Sequence, residues 1–402
     1  MRTVAVVGTS LAGLRAIEAL RREGYEGRIV AIGAEPHMPY DRPPLSKEFL
    51  AGTTDADGIV LRKQGVDDLG VEWLLGTRAS ALDLAAREVT LADGVRVAYD
   101  GLLLATGSTP RRLPNQPDLE GVFVLRTLDD ALALRRALAS EPKVVVIGAG
   151  FIGAEVAATC RNRGLDVTVL EALPQPMVRG LGPELGAVIA EVHREHGVDL
   201  RTGVQVEAIE GDGRVERVRL GDGSVVEASV VVVGVGVVPE TAWLEGSGLT
   251  IDNGVVCDET CLAAPGVVAA GDVARWPNPL FDGQMMRLEH WTNATEQGVY
   301  AARRLLAGDD GAELGPFAPV PFVWSDQYDR KIQTVGMVSA EADVDVHIAH
   351  GTLDERQFVA LFGRAGRLLG ALGFNRPRFV MQYRRIIAER GSWADALALA
   401  NQ

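Results

Sequence analysis

Two kinds of hydrophobic pattern alternate along this chain. Short β-branched runs are followed by segments with apolar residues every three or four positions, as expected for buried strands alternating with amphipathic helices. Thr3–Val7 is the first run, and it ends in Gly8-Thr-Ser-Leu-Ala-Gly13. Leu14, Ile17 and Leu20 then mark one helix face, residues 28–32 form a second strand, and an acid follows at Glu35. The same order returns later. Residues 143–147 run into Gly148-Ala-Gly-Phe-Ile-Gly153, Val156, Ala157 and Cys160 mark a helix, and residues 166–170 form a strand that meets Glu171.

Each half continues with a hairpin turning on Asp-Gly, a strong short-range hairpin signal. Residues 88–99 turn at Asp93-Gly94, and residues 215–229 at Asp222-Gly223. Each half closes on a buried strand that runs into glycine, Leu102-Leu-Leu-Ala-Thr-Gly107 in the first and residues 230–236 in the second. The pattern predicts two nucleotide-binding domains, the second inserted into the first. Turn-rich residues 110–121 mark the outward crossing and Pro239 the return. Ala269-Ala-Gly-Asp-Val completes the first domain, and a helix over residues 293–306 follows. Asp309-Asp310-Gly311 with Pro316, Pro319 and Pro321 reads as a linker. Beyond it, strands over residues 343–350, 357–362 and 367–374 and a helix over residues 379–389 predict a third, α+β domain.

Composition narrows the function classes. The 402 residues are 47% hydrophobic and 23% charged, an ordinary globular balance that excludes a disordered chain. The net charge of −14 argues against non-specific nucleic-acid binding, which depends on excess basic charge. Three cysteines make no disulfide framework and fit a cytoplasmic setting. The N-terminus reaches Gly8 after too short an apolar stretch for a signal peptide, and the longest apolar run, residues 230–238, is too short to span a membrane.

The chemistry lies in the two glycine turns. In G-x-G-x-x-G the first Gly makes the turn out of the strand, and the second lets backbone approach a pyrophosphate. The third lets the helix pack close, so that its N-terminal N–H groups face the anion. The second turn is complete in Gly148, Gly150 and Gly153, whereas the first carries Ser10 at the middle position, where a hydroxyl can donate to phosphate. Glu171, at its strand end, is placed to accept from ribose hydroxyls. Glu35 lies beyond Gly33, so its aim at a ribose is less direct.

Two nested dinucleotide domains with an Ala105-Thr-Gly107 strand end and a late Gly271-Asp272 resemble the FAD-dependent pyridine-nucleotide reductases. Within that group the chain resembles the FAD-dependent NADH:ferredoxin reductases, electron donors to haem-thiolate monooxygenases and aromatic-ring dioxygenases. The shared motifs are Pro39-Tyr-Asp-Arg-Pro-Pro-Leu-Ser-Lys47, Leu125-Arg-Thr127, Glu289-His-Trp-Thr-Asn293 and Trp324-Ser-Asp-Gln-Tyr328. The resemblance implies two nested Rossmann-like domains plus a C-terminal α+β domain. Residues 1–108 and 240–315 would bind FAD, residues 109–239 NADH, and residues 316–402 would form the C-terminal domain. It assigns Gly8, Ala12 and Gly13 to the FAD pyrophosphate, beside the Ser10 hydroxyl, Ala79 to the adenosine, and Arg126, Asp272 and the Trp291 backbone to FAD. Lys47 falls beside the flavin ring, with Glu155 pairing it near the nicotinamide. Glu35 is the candidate for the FAD ribose, displaced by one from the family's acid because Ala34 follows the strand-end glycine. Trp324 is either a residue near the electron exit or ordinary core.

The resemblance also implies a 2Fe-2S ferredoxin partner and a monomer or weak dimer. The rival readings are a rubredoxin or quinone reductase, and a redox-signalling flavoprotein like apoptosis-inducing factor. No cysteine pair lies in the first glycine helix or in the Pro43-to-Lys47 segment. Cys160 reads as core, and Cys257 and Cys261 read as unrelated thiols. His193 with His196, and His347 with His350, are expected to be solvated rather than metal-binding. His290 reads as a packing residue. Docking cations are sought among Arg303, Arg304, Arg330, Lys331, Arg376, Arg378, Arg384 and Arg385.

Overall fold

A computed structural model of the chain describes residues 1–62, 66–308, 311, 314–339 and 341–401, so Asp309 and Asp310 of the expected linker lie outside the described residues. The chain divides into two compact units, each assembled from three segments. The first is Met1–Asp41, Val60–Thr109 and Val238–Pro321, and the second is Arg42–Ile59, Pro110–Val237 and Phe322–Gln402.

The first unit is built on a six-stranded sheet in the order Leu262–Ala264, Val267–Ala269, Gly101–Leu104, Thr3–Val7, Arg28–Gly33, Val71–Leu75. All neighbours are parallel except the first pair. The β-branched run at Thr3–Val7 lies between Arg28–Gly33 and Gly101–Leu104, and Val4, Ala5 and Val6 are fully buried. That explains a run without alternation: a parallel strand in mid-sheet is covered on both faces. Leu14, Ile17 and Leu20 of the Leu11–Arg22 helix enter the core together with Ala301, Ala302 and Leu305 of the Trp291–Leu306 helix. These helices approach closely enough that a Cβ on Gly298 would lie 2.4 Å from the Ala12 carbonyl oxygen. The Asp93-Gly94 hairpin forms as expected, and Ala79–Asp83 joins it as a third strand.

The second unit repeats the scheme. Its parallel sheet runs Asp199–Thr202, Val167–Glu171, Val144–Ile147, Val230–Val233, Val122–Phe123. The apolar run over residues 230–238 is not one strand. It is interrupted at Gly234 to Gly236, and Val237–Pro239 is a separate strand. An antiparallel sheet follows in the order Phe322–Gln327, Arg330–Gly336, Arg367–Phe374, Gln357–Arg364, Asp345–Thr352. Its first two strands carry the Trp324-to-Tyr328 motif, which the sequence pattern did not reveal as a strand and turn. Leu181, Leu185, Val188, Ile189 and Val192 of the Val178–Glu195 helix pack on this sheet through Ile332, Phe358, Phe362 and Phe374. The Pro377–Ala388 and Trp393–Ala400 helices complete the unit, the latter closed by a Ser392–Asp395 capping box.

Candidate active site

The two glycine turns have the same construction. Gly8 and Gly148 adopt φ of 107° and 100°, a conformation that L-residues with side chains avoid. Their N–H groups donate to Ile32 O and Leu170 O, both at 2.8 Å. A Cβ on Gly8 would lie 2.0 Å from the Ala105 carbonyl oxygen, and one on Gly148 2.4 Å from that of Gly234. The third glycines, Gly13 and Gly153, place the helix on the turn: a Cβ there would fall 1.9 Å and 2.0 Å from the Gly8 and Gly148 oxygens. The middle position differs. A Cβ on Gly150 meets nothing within 4 Å, so this face is open. Ser10 occupies the matching place and does not cap its own helix.

Both helices therefore begin with N–H groups that no side chain caps, at Leu11, Ala12 and Gly13 in one and at Phe151 onward in the other. Neither has an acid in its first turn. Each first strand lies between two parallel neighbours that the chain reaches in opposite directions, the switch point where α/β sheets bind ligands. Backbone donors plus the helix dipole make both ends anion sites.

Glu171 ends the Val167–Glu171 strand beside its turn. Its Oε2 accepts the Ala149 N–H at 2.7 Å and its Oε1 the Leu173 N–H at 2.8 Å. The carboxylate is thus held at the glycine loop in a fixed orientation. Glu35 lies two residues past the Arg28–Gly33 strand, half-buried, and accepts a hydrogen bond from the Tyr40 hydroxyl.

Lys47 and Glu155 meet. The segment Pro43–Ser46 is a 3-10 turn, prolines setting its φ angles, and it delivers Ser46 and Lys47 to the Phe151–Asn162 helix. Lys47 Nζ lies 2.7 Å from Glu155 Oε2, and Glu155 is 3% exposed. The helix begins at Phe151, so Glu155 is its fifth residue and lies past the first turn. It is no helix-start carboxylate but a buried one held by three donors. Besides Lys47 these are the Ser46 hydroxyl at 2.5 Å to Oε2 and the Ser325 hydroxyl at 2.8 Å to Oε1. Thr159, one turn on, anchors the same segment by donating to Ser46 O at 2.7 Å. Sequence reasoning missed Ser46 and Ser325, although both lie inside motifs it had singled out.

In the first unit the Trp291–Leu306 helix begins two residues earlier than expected, with His290 as an N-cap that does not bond its side chain to the helix. Arg287 Nε, His290 Nδ1, Asn293 Oδ1 and Thr295 Oγ1 are buried here without a hydrogen-bond partner. Buried polar atoms are ordinarily paired. Their concentration at one helix start fits a polar ligand that completes the bonding. Asp272 accepts from the Ser108 hydroxyl at 2.8 Å and, through its carbonyl, from Arg287 at 3.1 Å. Trp291 donates its indole N–H to Asp41 at 2.7 Å. Ala79 is buried in the Ala79–Asp83 strand. Arg126, in the second unit, precedes the Thr127 capping box, and its carbonyl accepts from Arg42 at 2.5 Å. Trp324 stacks on Phe322 at 6.0 Å and is half-buried.

Cys160, Cys257 and Cys261 are free and buried, Cys160 as expected of a core residue. Burial pushes the Cys160 and Cys261 thiols up to about 12 and Cys257 well above the usual range, so none is a thiolate near neutral pH. Among the described residues no cluster of His, Cys, Asp and Glu is arranged to hold a metal. The expectation of solvated histidines fails at three positions. His193 is 3% exposed and hydrogen-bonded through both ring nitrogens, His196 stacks on Tyr328 at 3.8 Å, and His350 bonds the Tyr383 hydroxyl at 2.7 Å. Each is amphipathic enough to be drawn into core beside an aromatic ring.

Among the docking cations, Arg304 is ruled out: it is buried and bonds Thr260 and the Gly308 carbonyl. Arg303 pairs with Glu23, Arg330 with Asp329 and Lys331 with Asp326. Arg376 bonds the His350 carbonyl and Gln357.

Comparison with known proteins agrees with this construction. Residues 2–298 match the family described as pyridine nucleotide-disulphide oxidoreductase, and residues 322–402 match the reductase C-terminal family. Rhodocoxin reductase of Rhodococcus erythropolis is 39% identical over 96% of this chain and 89% of its own length. Putidaredoxin reductase of Pseudomonas putida is 36% identical over 96% and 92%. The solved structure of a covalent putidaredoxin reductase–putidaredoxin complex superposes with a TM-score of 0.91 at 33% identity, covering 100% of this chain and 99% of that one. With two glycine-turn sites, a buried lysine–glutamate pair and relatives that match along nearly the whole length, this chain belongs to the pyridine nucleotide-disulphide oxidoreductase family.

Proposed function

We propose that this chain is an FAD-dependent NADH:ferredoxin oxidoreductase that supplies electrons, through a 2Fe-2S ferredoxin, to a monooxygenase or dioxygenase. The observation that carries this reading is the pair of like-built glycine turns in one chain whose relatives are named ferredoxin reductases of oxygenase systems. One turn serves each dinucleotide. Residues 1–108 and 240–315 take FAD, residues 109–239 take NADH, and residues 316–402 form the C-terminal domain. A cytoplasmic setting fits the three buried free thiols. The chain works as a monomer or weak dimer.

The residues fit FAD. Leu11, Ala12 and Gly13 present first-turn N–H groups to a pyrophosphate, with the Ser10 hydroxyl beside them. Glu35 receives the ribose, and Asp272, the Ala79 backbone and the Trp291 backbone line the site. The orphaned polar atoms of residues 287–295 find partners in it. Bound FAD supplies the two-electron to one-electron conversion that links a nicotinamide to an iron–sulfur carrier. Phe151 and its neighbours hold the NADH pyrophosphate, Gly150 leaves room for it, and Glu171 accepts from the adenosine ribose. Lys47 and Glu155 supply fixed charge at the nicotinamide end.

Two measurements test the reading. Mass spectrometry of the denatured protein should find FAD, and FMN alone or no flavin would overturn it. Reduction of cytochrome c by NADH should rise sharply on adding a small 2Fe-2S protein. Equal rates without it, alongside fast reduction of a quinone or rubredoxin, would move the acceptor elsewhere.

A further inference from the structure

Glu155 stands at the end of a longer line of hydrogen bonds, all within the second unit. Ser325 Oγ lies 2.8 Å from Glu155 Oε1, Gln327 Nε2 lies 3.1 Å from Ser325 Oγ, and His193 Nε2 lies 3.1 Å from Gln327 Oε1. The Tyr328 hydroxyl lies 3.0 Å from His193 Nδ1. Ser325, Gln327 and His193 are 0%, 1% and 3% exposed, so water does not supply substitute partners. Ser325 and Gln327 occupy alternate positions of the Phe322–Gln327 strand and so project to the same side, and His193 comes from the Val178–Glu195 helix.

The direction of every bond follows from one end. Glu155 pairs with Lys47 as a carboxylate and only accepts. Ser325 has a single hydroxyl proton, and the 2.8 Å contact to Glu155 takes it. Ser325 must then accept from Gln327, which turns the amide NH2 toward the serine and the amide oxygen toward His193. That oxygen accepts, so His193 carries its proton on Nε2. Burial holds the imidazole neutral at ordinary pH, with its pKa lowered to about 4, so Nδ1 is a bare acceptor and Tyr328 donates to it. Four groups thus align their dipoles toward one carboxylate, an arrangement in which each bond polarises the next.

We propose that Tyr328, His193, Gln327 and Ser325 form a one-directional hydrogen-bond line that positions the Glu155 carboxylate, and through it Lys47, for the NADH-dependent step. Gln327 is its key positioning residue, because it alone both accepts from the histidine and donates toward the carboxylate. The inference rests on the reading of Lys47 and Glu155 as part of the nicotinamide end of the site.

The test has a part that needs no variant enzyme turnover. Nitrogen-15 NMR of the histidine-labelled holoenzyme reads the tautomer of each of the six imidazoles, His193 being assigned by its loss in His193→Gln. The expected result is a single Nε2–H tautomer at pH 7, lost or mixed in Gln327→Met. An Nδ1–H tautomer in the unaltered protein overturns the proposal. In kinetics with NADH and ferricyanide, Gln327→Met and Ser325→Ala should each lower kcat about tenfold while KM for NADH changes by less than about twofold. Unchanged kcat in folded, FAD-loaded variants overturns it. If Gln327→Met does not fold, the wild-type tautomer and Ser325→Ala, which removes one oxygen, still decide. Lys47→Met and Glu155→Gln separate the two levels. Should these lower kcat while Gln327→Met and Ser325→Ala do not, the line alone is refuted. Should they leave kcat unaltered, the reading of the pair itself falls.

Discussion

At the scale of single residues the carboxylate of Glu171 makes the sharpest prediction. Held by the Ala149 and Leu173 N–H groups, it cannot swing aside to admit a 2′-phosphate. Like charges brought together in a binding site cost several kcal/mol, and each ~1.4 kcal/mol is a factor of ten. NADH should therefore be preferred over NADPH about a hundredfold in kcat/KM, and Glu171→Gln should narrow that ratio. Equal kcat/KM for both nucleotides in the unaltered protein would place Glu171 away from the ribose. The cysteines make the opposite kind of prediction. Their thiols are buried and protonated, so replacing Cys160, Cys257 and Cys261 together by Ala should leave NADH-to-ferricyanide turnover nearly intact in folded protein. Loss of turnover there would revive a dithiol route. The glycines and Glu171 were legible in sequence because their chemistry demands fixed spacing along the chain, whereas the Lys47–Glu155 pair, 108 positions apart, was legible only through the family resemblance. His193 was not. Its partners, Gln327 and Tyr328, lie over a hundred positions away, and nothing local distinguishes a buried imidazole from a solvated one.

At the scale of elements, the two outer glycines and the middle one of the second turn should respond differently to one methyl group. Gly150 has open space before it and an ordinary φ of −75°. Gly150→Ala should fold normally and raise KM for NADH about tenfold, worth ~1.4 kcal/mol. Gly153→Ala drives a Cβ to 2.0 Å from the Gly148 oxygen and should cost about 1–3 kcal/mol of stability, seen as a lower Tm. Matching KM and Tm changes in both variants would contradict the assigned roles. The Val178–Glu195 helix and the start of the Trp291–Leu306 helix carry a pH dependence. Burial lowers His193 and His290 from 6.5 to about 4, so both are neutral in the fold. An unfolded chain takes up protons near pH 6.5 when the native one does not. Their stabilising share is therefore whole above about pH 6.5 and lost as pH falls toward 4. From His193 alone this amounts to about 2 kcal/mol between pH 7 and pH 5. Tm should fall over that range, and less steeply in His193→Gln; parallel curves would refute the assignment. Strand-helix alternation was readable because parallel strands are apolar throughout. The break at Gly234 inside the 230–238 run was not, since a buried strand and a buried loop can share one composition.

At the scale of the whole molecule, a charge of −14 offers no long-range attraction to an acidic partner, so steering of such a partner must be local. Arg330 and Lys331 follow the Trp324 motif closely in sequence, but Asp329 and Asp326 pair with them, which weakens the field. Ferredoxin reduction should slow as salt rises from about 0.05 to about 0.3 M, where the Debye length drops below about 10 Å. NADH reduction of an uncharged quinone serves as the control. Reversing both charges should raise KM for ferredoxin and leave KM for NADH alone, and an unchanged ferredoxin KM would move the docking face elsewhere. Nested repetition was visible in sequence because each repeat spans a contiguous stretch. The membership of residues 42–59 was not visible, because they lie between segments of the first unit and pack with the second. That threading bears on synthesis. The strand Thr3–Val7 lies beside Gly101–Leu104, which in turn waits for Val267–Ala269, and Glu155 waits for Ser325. Neither unit can be completed as a contiguous stretch leaving the ribosome. Both must remain partly open, with apolar strands in need of cover, until the last third of the polypeptide emerges, which makes the nascent chain a natural client of holding chaperones.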